Sequence, residues 1–498
     1  MLHNRASGIL LHPTSLPGPF GIGDIGPAAH TWVDWLAETG CAYWQVLPLG
    51  PTGYGDSPYQ CFSAFAGNPY LVSPEALVAD GLLDAAEVVP PPFPAGQVDY
   101  GWVIPWKLGL LERAFERFRA DPPERLAAAV ADFRAAQKEW LEDYALFMAL
   151  KAEHGGGAWS EWPRSLRRRE ARSLDRARVR LAVPIDRHVF TQFLFFRQWA
   201  TLRSHAHERG VEIIGDIPIF VAADSADVWA NPDLFELDAE RRPTVVAGVP
   251  PDYFSATGQL WGNPLYRWER HRETGFAWWV SRIEATVALV DVVRIDHFRG
   301  FVDYWEIPAG AETAVQGRWL DGPGRAVFDA VEDALGELPI IAEDLGELHD
   351  TVPALRDELG LPGMKILQFA FDGDPENDFL PHRYPQNCVV YTGTHDNDTV
   401  AGWWESEPEE THEQVREYLG VDGDDIVWDF LQAAWASQAR LAVAPLQEFL
   451  ELGTEARMNT PSTDSGNWAW RFEAGPLTAD LAGRIRNLNA VTGRLVRD

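Results

Sequence analysis

The chain of 498 residues carries 42 Lys and Arg against 74 Asp and Glu, a net charge of −32 that disfavours nucleic acid and anionic membranes as partners. Its 46% hydrophobic content supports a large core, yet no apolar run approaches the roughly 20 residues that span a bilayer. The start lacks an apolar signal core and the three cysteines lack metal-ligand spacing, so we expect a cytoplasmic protein with reduced thiols and no metal.

Eight short apolar runs have the character of strands, and helix-period segments separate most of them. Near-continuous apolar strands that alternate with helices indicate a parallel sheet covered on both faces. Eight such units favour closure, so the predicted fold is α/β, a (β/α)8 TIM barrel with helical insertions and no C-terminal β-sandwich. The predicted strands are residues 8–12, 42–49, 212–221, 290–298, 339–345, 364–371, 388–391 and 456–459.

The uneven spacing of these runs locates the insertions. We expect residues 1–498 to form a single catalytic barrel, with a mainly helical insertion at 76–185 and a second helical insertion at 401–442. The segment 231–268, rich in glycine, proline and aromatic residues, is predicted to be a shaped loop over the site. Segment 164–180 is dense in arginine with interleaved acids, and a solvated helix face is its expected role.

Four of the apolar runs end at a carboxylate, namely Asp216, Asp296, Glu343 and Asp396. Active sites of such barrels lie at the C-terminal ends of the strands, so these carboxylates are expected to share one face. Paired carboxylates cut or move glycosidic bonds, because one protonates the leaving oxygen while another holds the cationic sugar. The 22 Trp, 25 Phe and 12 Tyr support a carbohydrate substrate, since flat rings stack on sugars.

Two neighbouring strand ends provide the candidate nucleophile and proton donor. Residues two apart in a strand share a face, so Arg294 and Asp296 project together, and a guanidinium beside the carboxylate orients it as a nucleophile. Glu343 ends the next strand, where partial burial near Asp296 raises the pKa of a carboxyl and suits it to proton transfer. Asp344 competes with Glu343, but it should point to the opposite side of a regular strand.

The polar segment 392–398 supplies a third group. It is too polar for a core and too compact for an irregular turn. Its His395 and Asp396 are suited to grip adjacent sugar hydroxyls, and Asp396 also to stabilise an oxocarbenium-like transition state.

Several segments resemble those of a known family, the 4-alpha-glucanotransferases (amylomaltase or disproportionating enzyme, glycoside hydrolase family 77 of the α-amylase superfamily). The likeness extends over essentially the whole chain. One local departure is segment 460–464, where glycine is expected after the proline, and it concerns loop shape. The similar segments are 12–16 (HPTSL), 55–60 (GDSPYQ), 215–218 (GDIP), 261–264 (WGNP), 294–300 (RIDHFRG), 342–346 (AEDLG), 393–398 (GTHDND) and 457–461 (RMNTP).

This resemblance implies a retaining transfer of α-1,4-glucan segments in which Asp296 is the nucleophile, Glu343 the general acid/base and Asp396 the transition-state stabiliser. It implies no metal or organic cofactor, a monomer, and maltooligosaccharides or fragments of starch or glycogen as substrates. The implied substrate-binding residues are Ser57, Tyr59, Asp216, Asp252, Tyr253, Phe254, Gln259, Trp261, Asn263, Arg294, His297, His395 and Asn459. A secondary glucan site is implied at Tyr54 and Tyr100.

Two other functions remain open from the sequence. An α-amylase-type hydrolase is the first, although segment 215–218 lacks the Asn-His ending usual there and few residues follow the predicted eighth strand. The second is a non-catalytic glucan-binding barrel, which is disfavoured because all three acids are present. The products formed from maltotriose separate a transferase from a hydrolase.

Lysine occurs only at positions 107, 138, 151 and 365, and every other cation is arginine. Many acids with so few lysines predict a halophilic source, where salt screens the self-repulsion of the charge. A GC-rich genome that favours arginine codons is the alternative.

Overall fold

A computed structural model describes residues 2, 5–251, 255–346, 349–463 and 465–495. Most strands are short apolar runs rich in β-branched and aromatic side chains, which suit a pleated, buried surface. The strands are β1 (Ala6–Leu10), β2 (Tyr43–Gln45), β3 (Glu212–Pro218), β4 (Val245–Val249), β5 (Gln259–Pro264), β6 (Val292–Asp296), β7 (Asp303–Pro308), β8 (Arg318–Asp321), β9 (Ile340–Ala342), β10 (Gly363–Ile366), β11 (Cys388–Tyr391) and β12 (Leu441–Pro445).

Eight of these strands form one parallel sheet, in the spatial order β10-β11-β12-β1-β2-β3-β6-β9. Gly8 of β1 lies beside Val443 of β12 on one side and beside Tyr43 of β2 on the other. The two ends of the sheet meet where the Ala342 amide at the end of β9 donates to the Pro362 carbonyl just before β10, at 2.9 Å. The predicted (β/α)8 barrel is confirmed.

Helices cover the outside of the barrel and fill the longer connections. Residues 76–185 contain α3 to α7, and residues 401–442 contain α15, α16 and all of α14 except its first residue, Val400. The helices are α1 (Pro27–Thr39), α2 (Pro74–Ala79), α3 (Tyr100–Ala120), α4 (Glu124–Ala136), α5 (Lys138–Glu153), α6 (Arg164–Arg167), α7 (Ala171–Arg180), α8 (Ala182–Glu208), α9 (Ala226–Ala230), α10 (Trp268–Glu273), α11 (Ala277–Val287), α12 (Ala326–Leu335), α13 (Thr351–Glu358), α14 (Val400–Ser406), α15 (Glu409–Leu419), α16 (Ile426–Ala436), α17 (Leu446–Phe449) and α18 (Ala479–Val491).

The eighth barrel strand is not where the sequence predicted it. Residue 456 ends a short 3-10 helix, Thr454–Ala456, and residues 457–459 form no strand. The strand is instead β12, which pairs with both β1 and β11. The prediction was wrong because β12 reads Leu-Ala-Val-Ala-Pro and follows α16 after only a short connection. Alanine is the strongest helix former, so the run resembles the end of a helix until its neighbours in the barrel are known.

A second, antiparallel sheet of four strands, in the order β5-β4-β7-β8, lies outside the barrel sheet. Strands β4 and β5 come from the connection after β3, and β7 follows β6 by way of a short 3-10 helix, Phe298–Phe301. The sheet has its own small core of Val246, Ile307 and Ala314. The outer sheet therefore joins the two strands of segment 231–268, which follow β3, to two strands that follow β6, the neighbour of β3 in the barrel.

The barrel interior is packed with side chains rather than open. Because the interior is filled, polar groups that bind a ligand are confined to the strand ends. The inward-facing residues include Leu10, Tyr43, Ile214, Val292, Ile341, Met364, Tyr391 and Val443, all of them buried.

The described residues contain neither a sheet after β12 nor a helix that could span a membrane. After β12 they form α17, α18 and a 3-10 helix but no further strand, so this part contains no second sheet. None of the helices that the structure describes has the length and hydropathy needed to cross a bilayer.

Candidate active site

Arg294 joins two carboxylates at the ends of adjacent strands. In the register of β3 and β6, Asp216 lies opposite Arg294 and Pro218 opposite Asp296. The guanidinium Nη1 of Arg294 is 2.6 Å from Asp216 Oδ2 and 3.1 Å from Asp296 Oδ1. Arg294 and Asp296 therefore do share a face, and one buried cation orients both acids.

The charges of this trio support one another despite their burial. Burial disfavours the charged guanidinium, but Asp216 and Asp296 more than offset it and raise the pKa of Arg294 well above its usual value. Burial raises the pKa of Asp216 to about 6 against the opposing effect of Arg294. Asp216 is thus largely ionised at neutral pH, and its Oδ1 has no hydrogen-bond partner within the described part of the chain.

Glu343 follows β9 and lies next to the end of β6. Its amide donates to the Ile295 carbonyl and its carbonyl accepts from the Phe298 amide, both at 3.0 Å, which places it beside Asp296. Its carboxylate accepts from the His297 amide at 2.6 Å and from the Leu345 amide at 2.9 Å. Burial and then the charge of Asp296 raise the pKa of Glu343 to about 7, so both protonation states are populated near neutrality.

Asp344 points away from this cluster. Its Oδ1 accepts from the Met364 amide at 2.7 Å, and its Oδ2 pairs with Arg356 of α13. In the described residues, β9 and β10 are the two ends of the strand order and are not paired as strands. Asp344 follows β9 and Met364 belongs to β10, so their hydrogen bond links these two ends. The competing acid therefore has a structural role, and Glu343 is the one that faces the cluster.

Asp396 lies in the loop after β11, with its side chain about half exposed. The Asn459 amide Nδ2 donates to Asp396 Oδ1 at 2.6 Å. His395 Nε2 is 3.4 Å from Asp396 Oδ2. Two groups thus hold the third acid, one from its own loop and one from the segment after α17.

Aromatic rings form one wall of the cluster. The Tyr59 hydroxyl donates to Asp216 Oδ2 at 2.8 Å, and its ring stacks on His395 with centroids 5.1 Å apart. Trp468 completes the wall, 5.7 Å from the Tyr59 ring and 5.9 Å from the His395 ring. Such a wall suits the apolar face of a sugar, while Asp216 and His395 offer groups for its hydroxyls.

His297 links the acids to the outer sheet. Its backbone is left-handed, with φ of 53°, and this turn directs its amide at Glu343. The Trp261 ring of β5 packs edge-on against the imidazole, with centroids 4.8 Å apart. Burial lowers the pKa of His297 to about 4, and Nε2 has no hydrogen-bond partner among the described residues. The imidazole of His297 is therefore neutral at neutral pH.

Comparisons with known proteins agree with this geometry. A family model described as 4-alpha-glucanotransferase matches residues 11–478. The chain belongs to this family. The 4-alpha-glucanotransferase of Thermus thermophilus is 53% identical over 501 residues, covering 99% of each chain. That of Synechocystis sp. is 49% identical over 505 residues, covering 100% of this chain and 99% of the relative.

Solved structures of the family support the fold in detail. An amylomaltase from Streptococcus agalactiae, solved in complex with acarbose, has a TM-score of 0.96 at 40% identity and covers 98% of this chain and 99% of its own. An amylomaltase from Corynebacterium glutamicum has a TM-score of 0.75 at 18% identity, covering 99% and 75%, and supports the fold alone. The predicted family membership and enzyme class, a 4-alpha-glucanotransferase of the α-amylase superfamily, are confirmed.

Other residues that the family resemblance implies lie around the cluster with varied contacts. Ser57 Oγ accepts from the Tyr59 amide at 3.2 Å, and Gln259 Oε1 accepts from Trp261 Nε1 at 3.0 Å. Asn263 is buried, and both of its side-chain polar atoms bond to the protein, at Val221 and Gln60. Asp252, Tyr253 and Phe254 lie outside the described residues.

The two tyrosines of the implied secondary site differ in exposure. Tyr54 is 79% exposed on a 3-10 helix, Tyr54–Asp56. Tyr100 is half-buried at the start of α3, and its hydroxyl donates to the Trp468 carbonyl at 2.8 Å. Burial raises the pKa of Tyr100. Tyr54 thus offers a free ring, whereas the Tyr100 hydroxyl is engaged with the aromatic wall.

Sequence reasoning missed Trp468 and His12. Trp468 lies in an irregular segment with φ of 60°, so no strand or helix period pointed to it. His12 was part of a similar segment, but its role was not assigned; it is buried, and its Nδ1 has no partner among the described residues. Burial and then the charge of His395 lower the pKa of His12 to about 3. The neutral ring of His12 therefore lies near His395, which belongs to the aromatic wall.

Proposed function

We propose that the protein is a retaining 4-alpha-glucanotransferase with Asp296 as nucleophile, Glu343 as general acid/base and Asp396 as stabiliser of the transition state. The observation that carries these roles is the contrast between two neighbouring acids. Asp296 is paired with a buried guanidinium, while the pKa of Glu343 is raised to about 7. Environments that give two neighbouring carboxyls different pKa values distinguish a nucleophile, which stays ionised, from a proton donor, which holds its proton.

In the first half-reaction Asp296 attacks the anomeric C1 of an α-1,4-linked glucosyl unit. A bond forms between C1 and a carboxylate oxygen of Asp296, and the bond from C1 to the glycosidic oxygen breaks. Glu343 gives its proton to that oxygen, so the shortened glucan leaves as an alcohol. Asp396, with Asn459 on its carboxylate, faces the positive charge that develops on the sugar ring.

In the second half-reaction Glu343, now a carboxylate, takes the proton from the 4-hydroxyl of an acceptor glucan or glucose. The acceptor oxygen attacks C1 and displaces Asp296, so the α configuration is restored after two inversions. The two backbone amides on the Glu343 carboxylate stabilise its charged form between the half-reactions. No metal or organic cofactor is needed.

Sugar hydroxyls are bound by groups that lack protein partners among the described residues. Asp216 Oδ1 and His297 Nε2 are buried atoms of this kind next to the acids. Tyr59 and His395 are proposed to stack on or bond to the unit at the cleavage point, with Arg294, Ser57 and Asn459 completing the donor site. Gln259 and Asn263 are proposed contacts on the acceptor side, in the loop insertion 231–268.

Acceptor sugar and water compete for the covalent intermediate, and each 1.4 kcal/mol of preference changes the partition about tenfold. We propose that Trp261, together with Asp252, Tyr253 and Phe254, favours the sugar by displacing water and stacking the acceptor. In this proposal Phe254→Ala raises the ratio of hydrolysis to transfer, while Phe254→Tyr, which keeps a ring, leaves it close to wild type. An unchanged ratio in Phe254→Ala would remove Phe254 from this role.

The proposed substrates are α-1,4-glucans such as maltooligosaccharides and fragments of starch or glycogen, bound also at a secondary surface site with Tyr54 and Tyr100. The names of the relatives and the acarbose bound to the Streptococcus agalactiae enzyme support this class. Incubation with maltotriose tests it. A transferase yields longer oligomers plus glucose, whereas only shorter products would support an α-amylase-type hydrolase.

Asp296→Ala tests the nucleophile directly and should abolish turnover with the fold intact. Activity that survived this change would overturn the assignment and reopen the question of which acid forms the covalent bond. Preserved turnover together with a product anomer opposite to the donor's would exclude the retaining mechanism altogether.

We further propose a cytoplasmic monomer from a halophilic source. The three cysteines are all free, which is compatible with a reducing compartment, and the net charge of −32 supports adaptation to salt. We also propose that the chain is one catalytic barrel with insertions at 76–185, 231–268 and 401–442. Sedimentation analysis tests the monomer, since a larger species would contradict it.

A further inference from the structure

One guanidinium outside the acid cluster bonds to the backbone on both sides of the contact between Asp396 and Asn459. Arg457 Nη2 donates to the Asp396 carbonyl at 2.6 Å, and Arg457 Nε donates to the Asn459 carbonyl at 2.7 Å. The Asn459 side chain in turn donates to Asp396 Oδ1 at 2.6 Å. The three residues therefore form a closed ring of hydrogen bonds that includes the Asp396 carboxylate.

Asp396 depends on such outside support because of where it lies. It belongs to neither β11 nor α14, and its side chain is about half exposed. Asn459 likewise lies outside any strand or helix. No strand or helix therefore fixes the distance between Asp396 and Asn459. Arg457 bonds to the backbone of both residues.

A second acid, Asp398, lies near Arg457. Arg457 Nη1 is 3.9 Å from Asp398 Oδ2, which also accepts from the Thr454 hydroxyl at 2.9 Å. Asp398 Oδ1 accepts from the Thr399 amide at 2.8 Å, at the start of α14. The guanidinium is therefore fixed between two loops by directed contacts, which a lysine ammonium cannot reproduce because it lacks the planar fork.

We propose that Arg457 is a positioning residue that holds the Asp396 carboxylate and the Asn459 amide in the geometry needed at the transition state. The proposal rests on the assigned role of Asp396. Arg457 touches the backbone of the two residues and not the reacting atoms, so it acts through them. Since misplacement of a catalytic group by about 1 Å can lower a rate on the order of 100-fold, its loss should lower kcat more than it raises KM.

The test compares Arg457→Met and Arg457→Lys with a matched control, Arg5→Met. Arg5 also donates to three carbonyls, those of Thr492, Ser437 and Trp435, but it precedes β1 at the opposite end of the barrel from the acids. We expect Arg457→Met and Arg457→Lys, which both lose the planar fork, to lower kcat for maltotriose by about 30- to 100-fold with KM changed less than about threefold. Arg5→Met should lower the melting temperature and leave kcat at the wild-type value.

Two further readouts separate positioning from a general loss of stability. Guanidinium chloride at low millimolar concentration should partly restore kcat in Arg457→Gly and leave Arg5→Met and wild type unchanged. In a double-mutant cycle, Arg457→Met and Asn459→Ala should be strongly non-additive in kcat, because both act on the same carboxylate.

The outcomes are distinct. A kcat of Arg457→Met within threefold of wild type, with only a lowered melting temperature, overturns the proposal, and so does full additivity with Asn459→Ala. Asp396→Asn tests the underlying role separately. If Asp396→Asn keeps full activity, the role of Asp396 fails, whereas an inactive Asp396→Asn beside a normal Arg457→Met defeats the positioning role of Arg457 alone.

Discussion

The backbone amide of His297 donates to the Glu343 carboxylate at 2.6 Å, and it can do so because His297 adopts a left-handed conformation with φ of 53°. The strand that carries Asp296 thus ends in a turn that aims an N–H group at the neighbouring acid. This bond favours the charged form of Glu343, while burial and Asp296 favour the neutral form, and the pKa of Glu343 settles at about 7.

The first prediction concerns the pH dependence of activity. Glu343 must carry a proton to protonate the leaving oxygen, and with a pKa of about 7 it loses that proton as the pH rises through neutrality. We therefore expect kcat/KM for maltotriose to fall along a basic limb centred near pH 7, measured from about pH 5 to about pH 10. A profile flat to about pH 9 would contradict this assignment.

Replacing the acid itself should have a large effect. A general acid contributes about 100- to 10,000-fold to a rate, so Glu343→Gln is expected to lower kcat by that order. Asp344→Asn serves as the control, because Asp344 bonds to Met364 and Arg356 away from the cluster. The main effect of Asp344→Asn should be a lower melting temperature, with little change in kcat. If Asp344→Asn instead lowered kcat and Glu343→Gln lowered only the melting temperature, the roles of the two acids would be exchanged.

The left-handed conformation of His297 predicts a stability difference between two substitutions. Asn tolerates this conformation, whereas a β-branched residue clashes there, so His297→Val should be less stable than His297→Asn by about 1–2 kcal/mol. Both variants lose the imidazole and its packing against Trp261, which makes them a matched pair. Denaturant midpoints measure the difference, and equal midpoints would show that the turn relaxes.

The buried ion pair of Lys107 and Asp24 should be costly to break. Lys107 Nζ is 2.7 Å from Asp24 Oδ2 and also donates to the Val72 carbonyl, and both charged side chains are almost fully buried. Burial lowers the pKa of Lys107 and raises that of Asp24. Lys107→Met leaves Asp24 unpaired and should cost about 3–5 kcal/mol of unfolding free energy.

An exposed pair provides the comparison for Lys107. Arg325 and Asp329, 2.8 Å apart, are about half exposed, so Arg325→Met should cost far less unfolding free energy than Lys107→Met. The double variant Lys107→Met with Asp24→Leu should recover most of the loss, because no buried charge remains. Equal costs for Lys107→Met and Arg325→Met in urea unfolding would show that Asp24 is neutral or hydrated.

The acidic surface predicts a dependence on salt. The chain carries a net charge of −32, and one loop alone exposes Asp372, Asp374, Glu376 and Asp378. Raising KCl from about 0.05 M to about 2 M shortens the screening length severalfold and should raise the melting temperature and the activity. If neither changes, the halophilic origin fails and a GC-rich genome accounts for the scarcity of lysine.

Local sequence was sufficient where a strand is a compact β-branched run bounded by polar residues. Residues 388–391 were predicted to the residue as β11. The predicted strands 42–49 and 364–371 extend beyond β2 and β10, because the loops that follow remain apolar where they pack at the barrel mouth. β12 was missed since an alanine-rich run carries no strand signal of its own.

The sequence by itself determined the family and the fold and predicted which acids do the chemistry, because strand periodicity and polar strand ends are encoded locally. It also separated Glu343 from Asp344 by the alternation of side chains along a strand. Only the tertiary structure revealed the aromatic wall with Trp468, the hydrogen bonds of Arg457 and the two backbone amides that donate to the Glu343 carboxylate. These depend on burial and on distances between segments far apart in the chain, and no local pattern specifies either.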